Sequence, residues 1–453
     1  MSRSNQFSDE DFFRAAPILT ILYKIAPPVM LAQLIQALYN IVDSFFVGKY
    51  SVNALTALSV IYPLQLIIIA LAVGTGVGVN TFMARKYAHG QSSEADLTAG
   101  TGMVLSVLSW LIFALISTVI MRPYVMTSAT DPEAIRDAVI YGRIVCLGSI
   151  GVFLEGNWTK VHQAQGNMRL PMFAQIAGAL TNIILDPLLI FGIGPFPELG
   201  VAGAAYATVC GQIAAAVITG IRGFRLPPAI HSMPHYIKRI YYYGYPSIIM
   251  QALFTVYIVA LNIILAGFSD SAVTVLGLYY KVQTFFFIPL MGLQTCIVPV
   301  LSFNYACQNF ARCRSTMKAV FWISGLFMAL GSILFFFVPR QIIGIFSDSE
   351  AVLSIGASAF PIIGSSFIPA VFSLTTPVFF QAIGNGKASL FLSLMRQIFC
   401  LIPSFWLLSL IGLDLTWFAF PISEVLTGTA GLALYIKKFI RPCFPVTQTE
   451  NEK

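Results

Sequence analysis

The segment Phe321–Val338, FWISGLFMALGSILFFFV, runs for 18 consecutive residues without a charged side chain. A helix rises about 1.5 Å per residue, so a segment of this length nearly crosses the ~30 Å hydrocarbon core of a bilayer. Ile61–Val79 and Leu390–Leu410 are predominantly apolar and of similar length. Recurrent segments of this kind predict a protein that crosses a membrane several times through α-helices.

The composition of the whole chain agrees with this prediction. Of its 453 residues, 57% are hydrophobic and only 10% are charged, and the mean hydropathy is +0.81. Soluble domains are about 25% charged, so this chain has too little polar surface for a soluble enzyme of its length. The fold class predicted from sequence is therefore an all-α polytopic membrane protein.

Twelve membrane spans are predicted from the apolar segments and from the prolines and glycines at their ends. Interior prolines such as Pro63 and Pro289 are tolerated in membrane helices. The predicted spans, numbered 1 to 12, cover residues 17–47, 55–85, 97–121, 137–163, 170–194, 201–222, 240–268, 272–303, 317–338, 351–381, 388–411 and 415–436.

The basic residues give this topology an orientation. If both termini lie on one side, that side holds 17 of the 26 Lys and Arg residues and the other side holds 4, with the remainder in or near spans. Cytoplasmic loops are enriched in Lys and Arg, so both termini are predicted to be cytoplasmic. The net charge of +7 therefore reflects topology and not a nucleic-acid partner.

The chain repeats itself at a shift of 218 residues. Gln163–Asn167, QAQGN, matches Gln381–Asn385, QAIGN. Six spans per half give a parallel repeat, and transporters often bind substrate between such halves. The predicted lobes are residues 1–228 and 229–453. Other identities at the same shift are Tyr39 with Tyr257, Tyr62 with Tyr280, Gly74 with Gly292, Tyr87 with Tyr305 and Arg122 with Arg340.

Four acids fall inside predicted spans: Asp43, Glu155, Asp186 and Glu424. A charge at the centre of a membrane helix costs about 2.5–3.5 kcal/mol on insertion scales, so embedded acids usually have a partner or a function. Asp43 and Asp186 are not repeated at the 218-residue shift, where they meet Leu261 and Ser404.

Asp186 follows Asn182 by four residues, so both side chains lie on one helix face. Pro187 has no N–H for the carbonyl of Ile183, which leaves another oxygen acceptor nearby. These groups form a candidate cation or proton site. The alternative is structural: Asp43 caps the outer end of span 1 and Asp186 is a rim residue before a proline.

Two further charged pairs are candidates for a substrate-binding or a structural role. Glu155 and Lys160 are five residues apart in span 4 and are not ideally placed to pair on one face. Glu424 in span 12 has Arg396 of span 11 as its candidate partner, and a structural ion pair is favoured there.

Catalytic and metal chemistry are not indicated. The seven cysteines form no CxxC pair, the four histidines have no metal-ligand spacing, and no nucleophile lies near a base in sequence. We therefore predict no catalytic residue, no metal site and no cofactor, and a transporter in place of an enzyme.

Gln36–Gly48, QALYNIVDSFFVG, resembles the first helix of the multidrug and toxic compound extrusion (MATE) family. Ala54–Leu58, Gln163–Asn167 and Ser393–Gln397 are also similar to family segments. The resemblance extends from about residue 17 to 440 and is closest to the DinF-like and MepA-like prokaryotic branch. It implies that the protein lies in the cytoplasmic (inner) membrane of a prokaryote.

This resemblance implies two six-helix lobes in a V and antiport of organic, often cationic, drugs against protons, or alternatively sodium ions. It implies that Asp43, Asn182 and Asp186 form a cation-responsive site, which a hydroxyl on the sixth helix joins in some members; Thr208 is the candidate here. Glu424 resembles an acid frequent in the twelfth helix. The expected partners are small organic toxins and membrane lipids, and the expected state is monomeric.

Two other functions stay open. A lipid-linked sugar flippase of the same superfamily would have several cations lining its central cleft, whereas few cations are embedded here. A membrane-embedded transferase would need an Asp-rich or His/Asp cluster, and His231 and His235 have no acid beside them.

Overall fold

The computed structural model describes residues 13–126, 131–346 and 349–443, and these ranges consist of helices joined by loops and turns, without a strand. The predicted cytoplasmic termini lie outside the described residues. The first eight long helices are α1 Ile18–Tyr50, α2 Val52–Ala88, α3 Ser92–Met126, α4 Pro132–Gly148, α5 Ile150–Ala164, α6 Arg169–Ile190, α7 Val201–Gly223 and α8 Met233–Ala266.

The remaining helices include two π-helical segments, Met395–Leu401 and Ile436–Ile440. The α-helices of this part are α9 Asp270–Ala306, α10 Phe310–Phe337, α11 Pro339–Gly344, α12 Glu350–Gly364, α13 Phe367–Ala382, α14 Gly386–Leu394, α15 Ile402–Ser409, α16 Leu413–Thr416, α17 Ala419–Tyr435 and α18 Arg441–Cys443.

The described residues contain 11 helical segments long and apolar enough to span a membrane, or 12 if the bent pair α12 and α13 forms one span. The predicted all-α polytopic class is thereby confirmed. The span predicted over residues 351–381 corresponds to this bent pair, in which the helix direction changes by 54° between Gly364 and Phe367. Pro369 has no N–H to offer the carbonyl of Ser365, which explains why the helix cannot run straight through this point.

The chain divides into two compact units, one ending at Thr255 and the other beginning at Val256. Each has its own apolar core: Ile61, Met121 and Tyr141 are central in the first unit, and Phe335 and Phe360 in the second. The lobe boundary predicted between residues 228 and 229 stays a prediction.

The two copies of the repeated motif adopt the same backbone structure. Gly166 and Gly384 have φ of 81° and 84°, the left-handed region that glycine enters without strain. The N–H of Asn167 donates to the carbonyl of His162 at 2.9 Å, and that of Asn385 to Phe380 at 2.7 Å. Both are Schellman turns that end a helix, so the sequence repeat is also a structural repeat.

Close packing of α6 on α7 depends on glycine. A Cβ on Gly178 would lie 2.7 Å from the carbonyl oxygen of Gly211, and a Cβ on Gly211 would lie 2.6 Å from that of Gly178. Small residues let membrane helices approach closely where lipid offers no hydrophobic driving force. The contact sets the distance between Asn182, one turn after Gly178, and Thr208, one turn before Gly211.

Replacing Gly211 with leucine should force α6 and α7 apart. The added side chain would meet both the Gly178 backbone and the Asn182 side chain. We expect Gly211→Leu to destabilise the protein by about 1–3 kcal/mol, the usual cost of overpacking. Thermal unfolding in detergent measures this, with Gly277→Leu as control, because a Cβ at Gly277 has no neighbour within 4 Å. Equal unfolding temperatures for both variants would contradict the packing role.

Candidate functional site

Asp43 lies inside α1, seven residues before the helix ends at Tyr50. Its side chain is half-buried, and its carboxyl group lies close enough to that of Asp186 on α6 to interact with it. An acid in this position does not cap a helix end. Asp43 instead places a second carboxyl group next to that of Asp186.

Asn182, Asp186 and Thr208 meet between α6 and α7. The Asn182 side-chain amide donates to Asp186 Oδ1 at 3.3 Å and approaches Thr208 Oγ1 at 3.5 Å. Asp186 is 0% exposed and Asn182 is 2% exposed, which places the pair in the interior and not on a rim. The four-residue spacing puts both groups on one face of α6, and the Gly178–Gly211 contact brings Thr208 to them.

This cluster, Asp43, Asn182, Asp186 and Thr208, contains more hydrogen-bond acceptors than donors. Among the residues that the structure describes, no protein donor reaches Asp43 Oδ1, Asn182 Oδ1 or Asp186 Oδ2, although all three oxygens are buried. Buried acceptors are nearly always paired, so such a surplus calls for an explanation. A proton on one carboxyl group or a bound cation would supply what the cluster lacks.

Two tyrosines, Tyr39 and Tyr141, border the four-residue cluster, and a third, Tyr62, lies next to Tyr39. Tyr39 on α1 interacts with Asp43, Asp186 and Tyr62, and the buried Tyr141 of α4 interacts with Asp43. A phenol both donates and accepts a hydrogen bond, so these side chains can follow a change of charge on the acids. Sequence reasoning did not assign them to the site, although Tyr39 and Tyr62 stood out in the repeat.

Glu155 and Lys160 lie on α5, within the first unit. Glu155 accepts a hydrogen bond from Thr159 Oγ1 at 2.5 Å, and Lys160 Nζ donates to Gln163 Oε1 at 2.8 Å. The five-residue spacing keeps the two charges from stacking on one helix face. Whether they contribute to substrate binding or to structure stays a prediction.

Arg396 and Glu424 form an ion pair in the second unit. Arg396 Nε and Nη2 donate to Glu424 Oε1 at 2.9 and 2.5 Å, and the two side chains are 11% and 6% exposed. Ser373 of α13 donates to the other oxygen of Glu424, and Ser423 Oγ donates to the Arg396 carbonyl at 2.7 Å. The pair is thus neutralised and hydrogen-bonded from three helical segments.

Tyrosines also surround this ion pair. Tyr257 and Tyr279 interact with both Arg396 and Glu424, and Tyr280 with Arg396. Tyr257 and Tyr280 correspond to Tyr39 and Tyr62 of the first unit at the 218-residue shift. Each unit therefore places the first tyrosine of this pair, Tyr39 or Tyr257, beside a different charged centre: two acids in the first unit and an ion pair in the second.

Comparisons with known proteins agree with the family predicted from the sequence. A curated FAD transporter of Shewanella oneidensis is 25% identical over 446 residues, covering 96% of this chain and 97% of the relative. The multidrug export protein MepA of Staphylococcus aureus strain MRSA252 is 22% identical over 431 residues, covering 93% and 94%.

Solved structures share the fold over almost the whole chain. An outward-facing multidrug resistance MATE family transporter of the MOP superfamily superposes with a TM-score of 0.88 at 21% identity, covering 96% of this chain and 99% of that one. A MOP superfamily transporter from Pyrococcus furiosus gives a TM-score of 0.88 at 22% identity, covering 97% and 99%.

The family assignment itself rests on the sequence profile of the MatE family, which matches residues 28–188 and again 246–407. Two successive matches of nearly equal length are what the 218-residue repeat requires. The chain therefore belongs to the MatE family of membrane transporters.

Proposed function

We propose that this chain is a secondary multidrug efflux transporter, which exports organic compounds in exchange for a coupling cation. The observation that carries this proposal is the acceptor surplus of Asp43, Asn182, Asp186 and Thr208. MepA, a multidrug export protein by name, supports the substrate class. The bias of basic residues supports a topology with both termini in the cytoplasm.

The coupling cation that fits the cluster best is a proton. Two carboxyl groups that interact in a poorly solvated site resist joint ionisation, so they take up and release protons as a pair. A proton on either carboxyl group supplies the donor that the buried oxygens lack. Uptake from outside would change the hydrogen bonds among α1, α6 and α7, and release to the inside would reset them.

Movement of α1 would link this change to the substrate. The helix contains Pro27 and Pro28, neither of which can donate a backbone hydrogen bond, so this part of α1 has a weakened ladder. Protonation of Asp43 would allow α1 to bend, shrink the drug site and release the substrate. In a cycle of this kind, the gradient of the coupling ion supplies the energy for export of the substrate.

Sodium is the second candidate for the coupling ion. The two carboxyl groups and the Asn182 side-chain oxygen are hard oxygen ligands, the type that suits small cations. The carbonyl of Ile183 is an additional ligand because Pro187 cannot donate to it. The same cluster thus suits either ion, and only imposed gradients discriminate between them.

FAD is the second candidate substrate, because the FAD transporter of Shewanella oneidensis matches 96% of this chain at 25% identity. FAD is an anionic dinucleotide, whereas many export substrates are organic cations. Transport of FAD and of a fluorescent organic cation into the same inside-out vesicles would separate the two.

The Arg396–Glu424 pair is proposed to be structural. The two charges pair within the second unit, Ser373 donates to the second oxygen of Glu424, and Ser423 donates to the backbone carbonyl of Arg396. A flippase for anionic lipid-linked sugars would need cations available to its substrate. Arg396 is already paired with Glu424, so its charge gives no support to a flippase function.

The first prediction from this mechanism is that Asp43→Asn and Asp186→Asn each abolish coupled export. Asparagine resembles a permanently protonated acid, so both variants should fold and bind drug, yet export should fall to that of empty vesicles. The measurement is drug accumulation in inside-out vesicles under an imposed gradient. Glu198→Gln is the control, because Glu198 lies in an exposed loop. Normal export by both Asp variants would overturn the mechanism and move coupling to Glu155 or Glu424.

The second prediction concerns the ion. In proteoliposomes, a proton gradient imposed at zero sodium gradient should drive drug export, and a sodium gradient at equal pH should not. The reverse outcome would assign the cluster to sodium, and export under neither gradient would refute the proposed antiport.

The third prediction concerns Glu424. Glu424→Gln leaves the buried Arg396 without its counter-ion and should destabilise the protein by about 3–5 kcal/mol. Adding Arg396→Gln removes the orphaned charge, so the double variant should recover much of the loss. Thermal unfolding of the single and double variants in detergent measures both effects. A stable Glu424→Gln protein that has lost gradient-driven export would instead place Glu424 in the mechanism.

A further inference from the structure

A groove of about 730 Å³ runs along α10 in the second unit, with α13, α17 and the segment Ile436–Ile440 as its other walls. Its volume lies within the roughly 300–1,000 Å³ typical of small-molecule sites. The residues that line it are apolar apart from one end. The groove is separate from the Asp43–Asp186 cluster, which lies in the first unit.

The groove opens at the surface of the second unit, along a helix that is long and apolar enough to span a membrane. Trp322 and Leu326, which line it from α10, are 74% and 73% exposed. Phe321 and Phe372 also line the groove and pack with their ring centroids 5.0 Å apart. An apolar groove that opens where hydrocarbon surrounds the protein is accessible to acyl chains and inaccessible to water-soluble ligands.

Gly325 keeps the middle of the groove open. A Cβ at this position would have no neighbouring atom within 4 Å, although the glycine lies between the lining residues Trp322 and Leu326. One helical turn further along α10, the groove is lined by Ala329, another small residue. The α10 surface is thus indented along its length, which is the shape that an extended chain requires.

Arg314 and Lys318 form the cationic end of the groove. They lie four residues apart in the first turns of α10, so they share one face with Trp322. This end belongs to the side on which the distribution of basic residues predicts the cytoplasm. Anionic headgroups of the cytoplasmic leaflet attract basic residues in this position.

The length of the groove matches one leaflet. Eleven residues separate Lys318 from Ala329, which is about 16 Å along a helix, and half of a hydrocarbon core is ~15 Å. A phosphate held by Arg314 and Lys318 would therefore place its acyl chain along the indented surface beside Gly325.

We propose that this groove is a binding site for an anionic phospholipid of the cytoplasmic leaflet, with the phosphate headgroup on Arg314 and Lys318 and an acyl chain along Trp322, Gly325 and Leu326. Charge complementarity selects the headgroup, and the membrane-facing opening selects a lipid over a free phosphate or a soluble drug. The site does not depend on the proposed export function.

Native mass spectrometry of the purified full chain tests the headgroup. Phosphatidylglycerol and phosphatidylcholine with identical acyl chains are titrated separately, and phosphatidylglycerol should bind more tightly. Arg314→Ala/Lys318→Ala should reduce this preference by roughly 30-fold, since both basic residues near the membrane surface contribute to anionic lipid binding. The control Arg169→Ala/Lys387→Ala removes two exposed charges elsewhere on the same predicted side. Excess inorganic phosphate should not displace the lipid.

The acyl chain is tested by filling the groove. Gly325→Leu should weaken the binding of both lipids, whereas Gly277→Leu, at another open glycine, should not. Equal affinity for the two headgroups in the unmodified protein would overturn the proposal. The proposal would also be overturned if lipid binding were unchanged in both Arg314→Ala/Lys318→Ala and Gly325→Leu. Displacement of the lipid by inorganic phosphate would overturn it as well.

Discussion

A membrane interior leaves charged groups without water, so every buried acid of this chain must find a donor, a cation or a proton. The two units meet this constraint differently. In the second unit, Glu424 receives hydrogen bonds from Arg396 and Ser373, and the pair is neutral by itself. In the first unit, the Asn182 amide donates to Asp186, and neither Asp186 nor Asp43 has a basic partner among the described contacts. The neutral Arg396–Glu424 pair is suited to holding helices together. The Asp43–Asp186 pair has no counter-charge from the described residues and is suited to binding a proton or another cation.

Helix packing determines where these groups meet. The α6–α7 contact at Gly178 and Gly211 leaves so little space that Asn182 and Thr208 are brought within 3.5 Å. A bulkier residue at either glycine would separate the donor from its acceptor. The polar geometry of the cluster is therefore a consequence of two positions that carry no side chain at all.

Much of this arrangement could be predicted from the sequence, because its causes are local. The lengths of the apolar segments predicted the membrane spans, and the four-residue spacing of Asn182 and Asp186 predicted that they share one helix face. The bend at Ser365 was missed, since hydropathy does not register the hydrogen bond that Pro369 cannot make. Ser373 as a partner of Glu424 and Tyr141 as a neighbour of Asp43 were also missed. Such contacts join helices distant in the chain, and an isolated serine or tyrosine carries no signal of its neighbour.

The π-helical segment Met395–Leu401 changes how the two halves of the chain correspond. A π turn accommodates one more residue than an α turn, and one residue is about 100° of rotation around a helix. The α6 helix has no such segment. Beyond Leu401, residues aligned at the 218-residue shift therefore point in different directions about their helix axes. An acid placed at Ser404 would therefore not face the direction that Asp186 faces in the first half.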